Sequence, residues 1–292
     1  MQNGKLESDF KADKPSCPVP CEALCAAGYN SLHAGDLTSA INFFEQAVAL
    51  DSDYIHSYMG LAKARLPGAG YIEIIQKLIS LQKPEKYVEI GVEKGVVLNL
   101  FDSSVQVIGI DPEPKIVEVP ENVTLYKTFS DDFFAAHDLK LLLDGSFDLA
   151  FIDGLHIFEQ VLRDFINLEK NAAPDSIIMI HDCLPLDRRT AERQRKTIFW
   201  SGDVWKIIPC LKQERADLSI FTVPTYPAGL CFVTGLDCQS RLLKNNYDAI
   251  VEQYGALDYS DIPERETYFS LTANDWPTIA RTLSDNLARI KK

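Results

Sequence analysis

The sequence predicts an α/β fold: a doubly wound, mostly parallel sheet closed by an antiparallel hairpin, with a helical N-terminal segment in front of it. Three observations carry this. Five short apolar runs between Tyr87 and Ile180 alternate with helix-like stretches, which is the pattern of a parallel sheet with crossover helices. The last two apolar runs are joined only by Pro224-Thr225-Tyr226-Pro227-Ala228-Gly229, too short for a crossover helix, so they pair antiparallel. From Pro20 to Leu66 the apolar spacing is helical and no strand-like run occurs.

Residues 1–19 are polar at first and are expected to form a flexible N-terminus. Residues 20–68 read as antiparallel helices. Gly35 permits a tight turn, and the small Ala40 and Ala47 let two helices approach closely. The run Gly35-Asp36-Leu37, Ala40-Ile41, Phe44, Ala47-Val48, Leu50-Asp51 resembles a tetratricopeptide repeat. A second copy starts at Ile55-His56-Ser57-Tyr58 and stops near Leu66-Pro67-Gly68. So few repeats cannot bury their own apolar faces, so this segment is expected to pack on the following domain or on another copy, making a homo-oligomer.

Residues 71–82 form an amphipathic helix, with Ile72, Ile74, Ile75, Leu78 and Leu81 at helical spacing. The strands expected next are Tyr87–Ile90, Val105–Ile110, Val123–Tyr126, Phe147–Ile152 and Ser176–Ile180, followed by Leu218–Val223 and Leu230–Thr234. They define a domain over residues 70–238. Residues 239–292 are read as a helical extension, with Ile279, Leu283, Leu287 and Ile290 as its apolar stripe.

Twenty-nine Lys and Arg against 42 Asp and Glu give a net charge of −13, which excludes non-specific nucleic-acid and anionic-membrane binding. The N-terminus has no apolar h-region, and no stretch reaches the length of a spanning helix. Seven cysteines, an odd number without paired metal-type spacing, read as reduced thiols of a cytoplasmic protein. Cys17-x3-Cys21-x3-Cys25 is read as small apolar helix residues rather than a metal site, since no second pair follows downstream.

The chemistry gathers at the strand ends. Glu89-Ile90-Gly91-Val92-Glu93-Lys94-Gly95 follows the first strand, where glycines allow a tight turn and close approach to a ligand. Asp111 ends the second strand, where a carboxylate can accept both hydroxyls of a ribose. Together with Ser130-Asp131-Asp132-Phe133-Phe134 and Phe147-Asp148-Leu149-Ala150-Phe151-Ile152-Asp153-Gly154, these residues resemble a class I S-adenosylmethionine-dependent methyltransferase over about residues 70–237. The terminal hairpin fits that Rossmann-like fold and is absent from nicotinamide dehydrogenases, which also carry Gly-x-Gly-x-x-Gly where this chain has Gly91-Val92-Glu93. The resemblance implies that Glu89, Gly91 and Gly95 hold the amino-acid end of the cofactor. It implies that Asp111 takes the ribose and that Ser130 or Asp131 faces the adenine, with Asp153 close to the methyl group.

Asp153-Gly154-Leu155-His156 ends the fourth strand and His181-Asp182-Cys183 the fifth. Neighbouring strands would bring Asp153, His181 and Asp182 together, a donor set suited to Mg²⁺ or Mn²⁺. This arrangement resembles the metal-dependent O-methyltransferases that act on sugars and small metabolites, although His181 stands where those have an acid. The resemblance implies a cation that lowers the pKa of an acceptor hydroxyl, with His156 as the base and His181 as its rival. The basic stretch Arg188 to Lys196 is read either as a lid over a small, including an anionic, acceptor or as a solvated helix. Trp200, Trp205 and Tyr226 are candidates to stack on a sugar or ring, or to be core. The expected function is O-methylation of a small metabolite or sugar. The alternatives are metal-independent methylation of nitrogen or a carboxylate, and an interaction protein built on a methyltransferase scaffold.

Overall fold

The computed structural model describes residues 19–290, which divide into two compact units between Leu61 and Ala62. The calls on residues 1–18, Cys17 among them, lie outside the described residues. In the first unit, α1 (Val19–His33) and α2 (Leu37–Leu50) form a hairpin, and α3 (Ile55–Arg65) begins. Asp36 caps α2 by accepting from the Ser39 backbone N–H at 3.0 Å. The Phe44 ring fills a space that two glycines leave open: a Cβ on Gly28 would stand 2.8 Å from it, and one on Gly60 2.1 Å. Cys21 and Cys25 are buried beside Ser57 at 3.7 and 3.3 Å, consistent with their reading as helix-face residues.

The second unit opens with α4 (Tyr71–Gln82) and contains one seven-stranded sheet. Its strands are β1 (Lys86–Ile90), β2 (Gln106–Ile110), β3 (Val123–Tyr126), β4 (Phe147–Ile152), β5 (Ala172–His181), β6 (Ser219–Val223) and β7 (Leu230–Thr234). The spatial order is β3-β2-β1-β4-β5-β7-β6. The first five run parallel and β7 pairs antiparallel with both β5 and β6. β5 begins earlier than its apolar run suggests, because Ala172 pairs with Phe147 across a register shift. Chain order reverses between β1 and β4, which makes their C-terminal ends the crevice where such sheets bind ligands.

Helices α5 (Ser130–Ala136) and α6 (Leu139–Leu142) follow β3, α7 (Phe158–Asn171) links β4 to β5, and α8 (Ile207–Glu214) precedes β6. One face of the sheet, with Tyr87, Leu149, Phe151 and Met179, is covered by Ile74, Ile75 and Leu78 of α4 and by Ile279 and Leu283 of α12 (Trp276–Ile290). On the other side, α7 packs against β4 and β5. Its buried stripe is Phe158, Val161, Leu162, Phe165 and Leu168.

The C-terminal extension is not continuously helical. It breaks into α9 (Leu242–Asn245), α10 (Tyr247–Gly255), α11 (Arg265–Tyr268) and α12, with a 3-10 turn at Tyr259–Asp261. Between α11 and α12, the Asn274 side-chain nitrogen lies 3.1 Å from the carbonyl of Pro67, 3.0 Å from that of Ala69 and 3.2 Å from that of Pro224. This ties the segment before α4 to the β6–β7 connection. Among the described residues no helix is long and apolar enough to cross a membrane.

Candidate active site

The turn after β1 is shaped by Gly91, whose φ of +86° lies in the left-handed region. A Cβ there would stand 2.0 Å from the Asp153 carbonyl oxygen, so only glycine lets the β1 and β4 ends lie this close. Backbone bonds continue the ladder past the strands: Gly91 N–H donates to Ile110 and Asp153 N–H to Ile90. Above this seam lies a cavity of about 630 Å³, within the usual range of small-ligand sites.

Glu89 lines the cavity although it is buried, and the Tyr87 hydroxyl donates to its Oε2 at 2.8 Å. Burial holds its carboxyl well above the usual carboxylate range, with Asp153 and Asp111 adding to the rise and the Tyr87 bond opposing it. A cationic ligand group beside Glu89 would relieve that cost. Asp111 also lines the cavity. Its Oδ2 accepts from the backbone N–H of Val92 and Glu93 at 2.9 and 2.8 Å, and its Oδ1 from Glu113 at 2.7 Å. It therefore ties the Gly91 turn to β2, and a carboxylate keeps further lone pairs for a hydroxyl donor.

At the other side of the crevice, Asp153, His181 and Asp182 each offer a ligand atom within 4.8 Å of the others. Asp182 has a φ of +57°, a strained conformation for a residue with a side chain. His181 Nδ1 is 3.2 Å from Asp153 Oδ1 and 3.6 Å from Asp182 Oδ2. His156 Nε2 is 3.0 Å from Asp182 Oδ2 and 3.6 Å from Asp153 Oδ1. Imidazoles and carboxylates thus alternate. Burial alone would lower both histidines, but Asp182 and Asp153 outweigh it, leaving His156 well above its usual range and pushing His181 up to about 10. Burial would raise Asp182, yet the two imidazoles hold it far below the usual carboxylate range.

His156 is oriented by the chain after β5. Its Nδ1 lies 3.1 Å from the Trp200 carbonyl, its ring stacks on Trp200, and a Cβ on Gly202 would stand 1.9 Å from its carbonyl oxygen. Asp203 accepts from the Phe158 N–H at 2.8 Å, anchoring the same segment at the start of α7. The Tyr71 ring lies 4.2 Å from that of His181 and forms another part of the cavity wall.

Of the residues singled out from the sequence, Glu89, Gly91, Asp111, Ser130, Asp153, His156, His181 and Asp182 line this one cavity. Two do not. Gly95 (φ +71°) turns away, and a Cβ there would meet Ile116 at 2.8 Å. Asp131 is exposed and is held by Arg163, whose Nε donates at 3.0 Å, which leaves Ser130 on the cavity wall. The stretch Arg188 to Lys196 is made of turns and bends rather than a helix. Arg188 pairs with Asp258, Arg189 with Asp187, Arg193 with Glu159 and Lys196 with Glu192, while Arg195 lines the cavity. Trp205 is core and Trp200 lines the cavity. Sequence reasoning passed over Tyr71, Gln160 and Asp164, which also line it.

Residues 88–183 match the family model described as a methyltransferase domain. No curated protein matches the sequence. Among solved structures the chain is similar to the O-methyltransferase TomG from Streptomyces achromogenes, involved in tomaymycin synthesis and solved in complex with SAM. That likeness has 14% identity over 57% of this chain and 79% of that one, with a TM-score of 0.43. A putative O-methyltransferase from Klebsiella pneumoniae shows 15% identity over 57% and 80%, with a TM-score of 0.43. An SAH-bound methyltransferase from Podospora anserina shows 13% identity over 75% and 89%, also with a TM-score of 0.43.

Proposed function

We propose that this chain is an S-adenosylmethionine-dependent methyltransferase that methylates a hydroxyl of a small metabolite or sugar, with help from a divalent cation and a histidine base. The observation that carries the reading is the continuous cavity from Asp111, past the Gly91 turn and Glu89, to Asp153, His181 and Asp182. The residues present fit the cofactor. The bare Gly91 turn gives its backbone room, the buried Glu89 carboxyl is suited to its ammonium, and Asp111 to its ribose.

A divalent cation fits the donor set as well. Asp153, His181 and Asp182 would hold it, supplying two hard oxygens and one nitrogen that all lie within 4.8 Å of one another. When bound, such an ion lowers the pKa of an acceptor hydroxyl. The protein's part is alignment and proton handling. The rings of Tyr71 and Trp200 flank the cluster, beside His181 and His156 respectively. The His156 Nδ1–H donates to the Trp200 carbonyl, which leaves Nε2 directed at the reacting centre. With both carboxylates beside it His156 keeps its proton. It takes one from the acceptor only when Asp153 and Asp182 are engaged elsewhere.

One observation favours the metal-independent alternative: two imidazoles already neutralise the two carboxylates. The helical hairpin before the α/β unit supports the tetratricopeptide-like reading through its Gly35 turn and the buried Ala40 and Ala47.

The test is calorimetric titration with S-adenosylhomocysteine, followed by assay of its release from S-adenosylmethionine with hydroxylated acceptors, before and after chelation. Saturable binding and cation-restored turnover are expected. A folded protein that gives no binding would overturn the cofactor reading, and full turnover after chelation would overturn the metal.

A further inference from the structure

The turn that carries Trp200 also places a cation, Arg195, on the cavity wall, and the chemistry above gives it no role. Its own turn aims it. The Arg195 Nε donates to the Thr197 carbonyl at 3.4 Å and one terminal nitrogen to the Ile198 carbonyl at 2.7 Å. These carbonyls set the direction of the planar fork and leave its charge in place. The turn itself is braced. Ser201 and Gly202 N–H donate to the Thr190 carbonyl at 3.2 and 3.1 Å, and the Trp200 indole donates to the Glu192 carbonyl at 2.6 Å. Arg195 and Trp200 thus belong to one fixed piece of wall, and the Trp200 ring lies 5.4 Å from that of His156. At this end of the cavity the carboxylates of Asp182 and Asp153 are already faced by the imidazoles of His156 and His181, at 3.0 and 3.2 Å. In a chain of net charge −13, an anion is repelled except where local cations gather.

We infer that the methyl acceptor carries an oxyanion, a carboxylate or a phosphate, and that Arg195 receives it and so determines acceptor specificity. The inference rests on the methyltransferase reading above and adds the charge of the acceptor to it. A guanidinium fork matches two oxygens of such a group with parallel N–H bonds, and a neutral amide or hydroxyl cannot return that match. With the oxyanion at Arg195, the body of a small acceptor lies along Trp200 and its hydroxyl points to His156, Asp153 and Asp182.

The experiment is calorimetric titration of the full chain, saturated with S-adenosylhomocysteine and with Mg²⁺ present, using matched pairs of probes. The pairs are 3,4-dihydroxybenzoate with its amide, glucuronate with glucuronamide, and glucose 6-phosphate with glucose. At least one charged member should bind about tenfold or more tightly than its neutral partner, the scale of a hydrogen bond to a charged group. Which pair shows the preference tells carboxylate from phosphate. In Arg195→Gln the ratio should fall towards one, and Arg195→Lys, which keeps the charge without the fork, should retain part of it. Should Arg195→Gln fail to fold, salt provides the second measurement: raising NaCl should shrink the ratio in the original chain, because an exposed cation is screened. No preference in any pair, a ratio unchanged in Arg195→Gln, or a ratio indifferent to salt would overturn the role of Arg195 and leave the cofactor reading standing. Failure of the original chain to bind S-adenosylhomocysteine at all would overturn the cofactor reading, and this inference with it.

Discussion

Replacing Gly91 by alanine tests whether the β1 turn pins Asp153. Two costs combine at this position. An ordinary residue in the left-handed region loses about 1–2 kcal/mol. The new Cβ also stands 2.0 Å from the Asp153 carbonyl oxygen and 2.3 Å from its carbon, and such overpacking costs about 1–3 kcal/mol more. Gly235 provides the comparison, because its φ of +79° is similar but its nearest neighbour, the Asp217 carbonyl, is 3.4 Å away. Gly235→Ala should therefore cost about 1–2 kcal/mol and Gly91→Ala about 2–5 kcal/mol. Urea unfolding followed by tryptophan fluorescence reads the difference as a midpoint shift at constant slope. Trp200, Trp205 and Trp276 all lie in the α/β unit, so the signal reports that unit. Equal destabilisation of the two variants would refute the reasoning, since it would mean that the Asp153 segment moves aside freely.

His156→Ala is expected to abolish methyl transfer while S-adenosylhomocysteine still binds, because His156 faces the carboxylates rather than Glu89 or Asp111. Undiminished turnover in that variant would remove it as the base. Asp164 links stability to pH in a defined direction. Its folded carboxyl holds a proton up to about 6 against an ordinary 3.8, so folding is favoured below about pH 4 and that advantage is lost as pH rises through 6. The size is about 3 kcal/mol, and the difference in unfolding free energy between the original chain and Asp164→Asn should change by this amount between pH 4 and 7. A flat difference across that range would contradict the buried, proton-holding state.

Much of the site was readable because its residues stand at strand ends, where sequence and position coincide. Asp111, Asp153 and His181 each follow an apolar run, and Glu89 stands next to the last residue of its own, so the strands mark their place. Gly95 and Asp131 stand further along the turns after β1 and β3 and face away, and spacing alone cannot assign direction in a turn. The helix-borne residues were hidden for another reason. Gln160 and Asp164 reach the cavity only because α7 leans over it, a tertiary fact. One signal was available for Asp164: it stands three residues after Val161 and four before Leu168, so an acid occupies the apolar face of an amphipathic helix. The partners of the basic stretch were not legible because composition shows charge without them, and Asp258 and Glu159 are distant in sequence. The broken C-terminal helices reflect Pro263 and the capping Asp258 within that region.

The Asn274 clamp gives the last segment of the chain a hold on the first helix of the α/β unit. Tyr71, the first residue of α4, begins two positions after the clamped Ala69 and lies against His181. A single amide far along the sequence thus governs how firmly one wall of the cavity stands. Damage to this tail should be felt as slackened ligand binding before it is felt as lost melting temperature, and engineering of the tail becomes a way to tune the cavity from outside it.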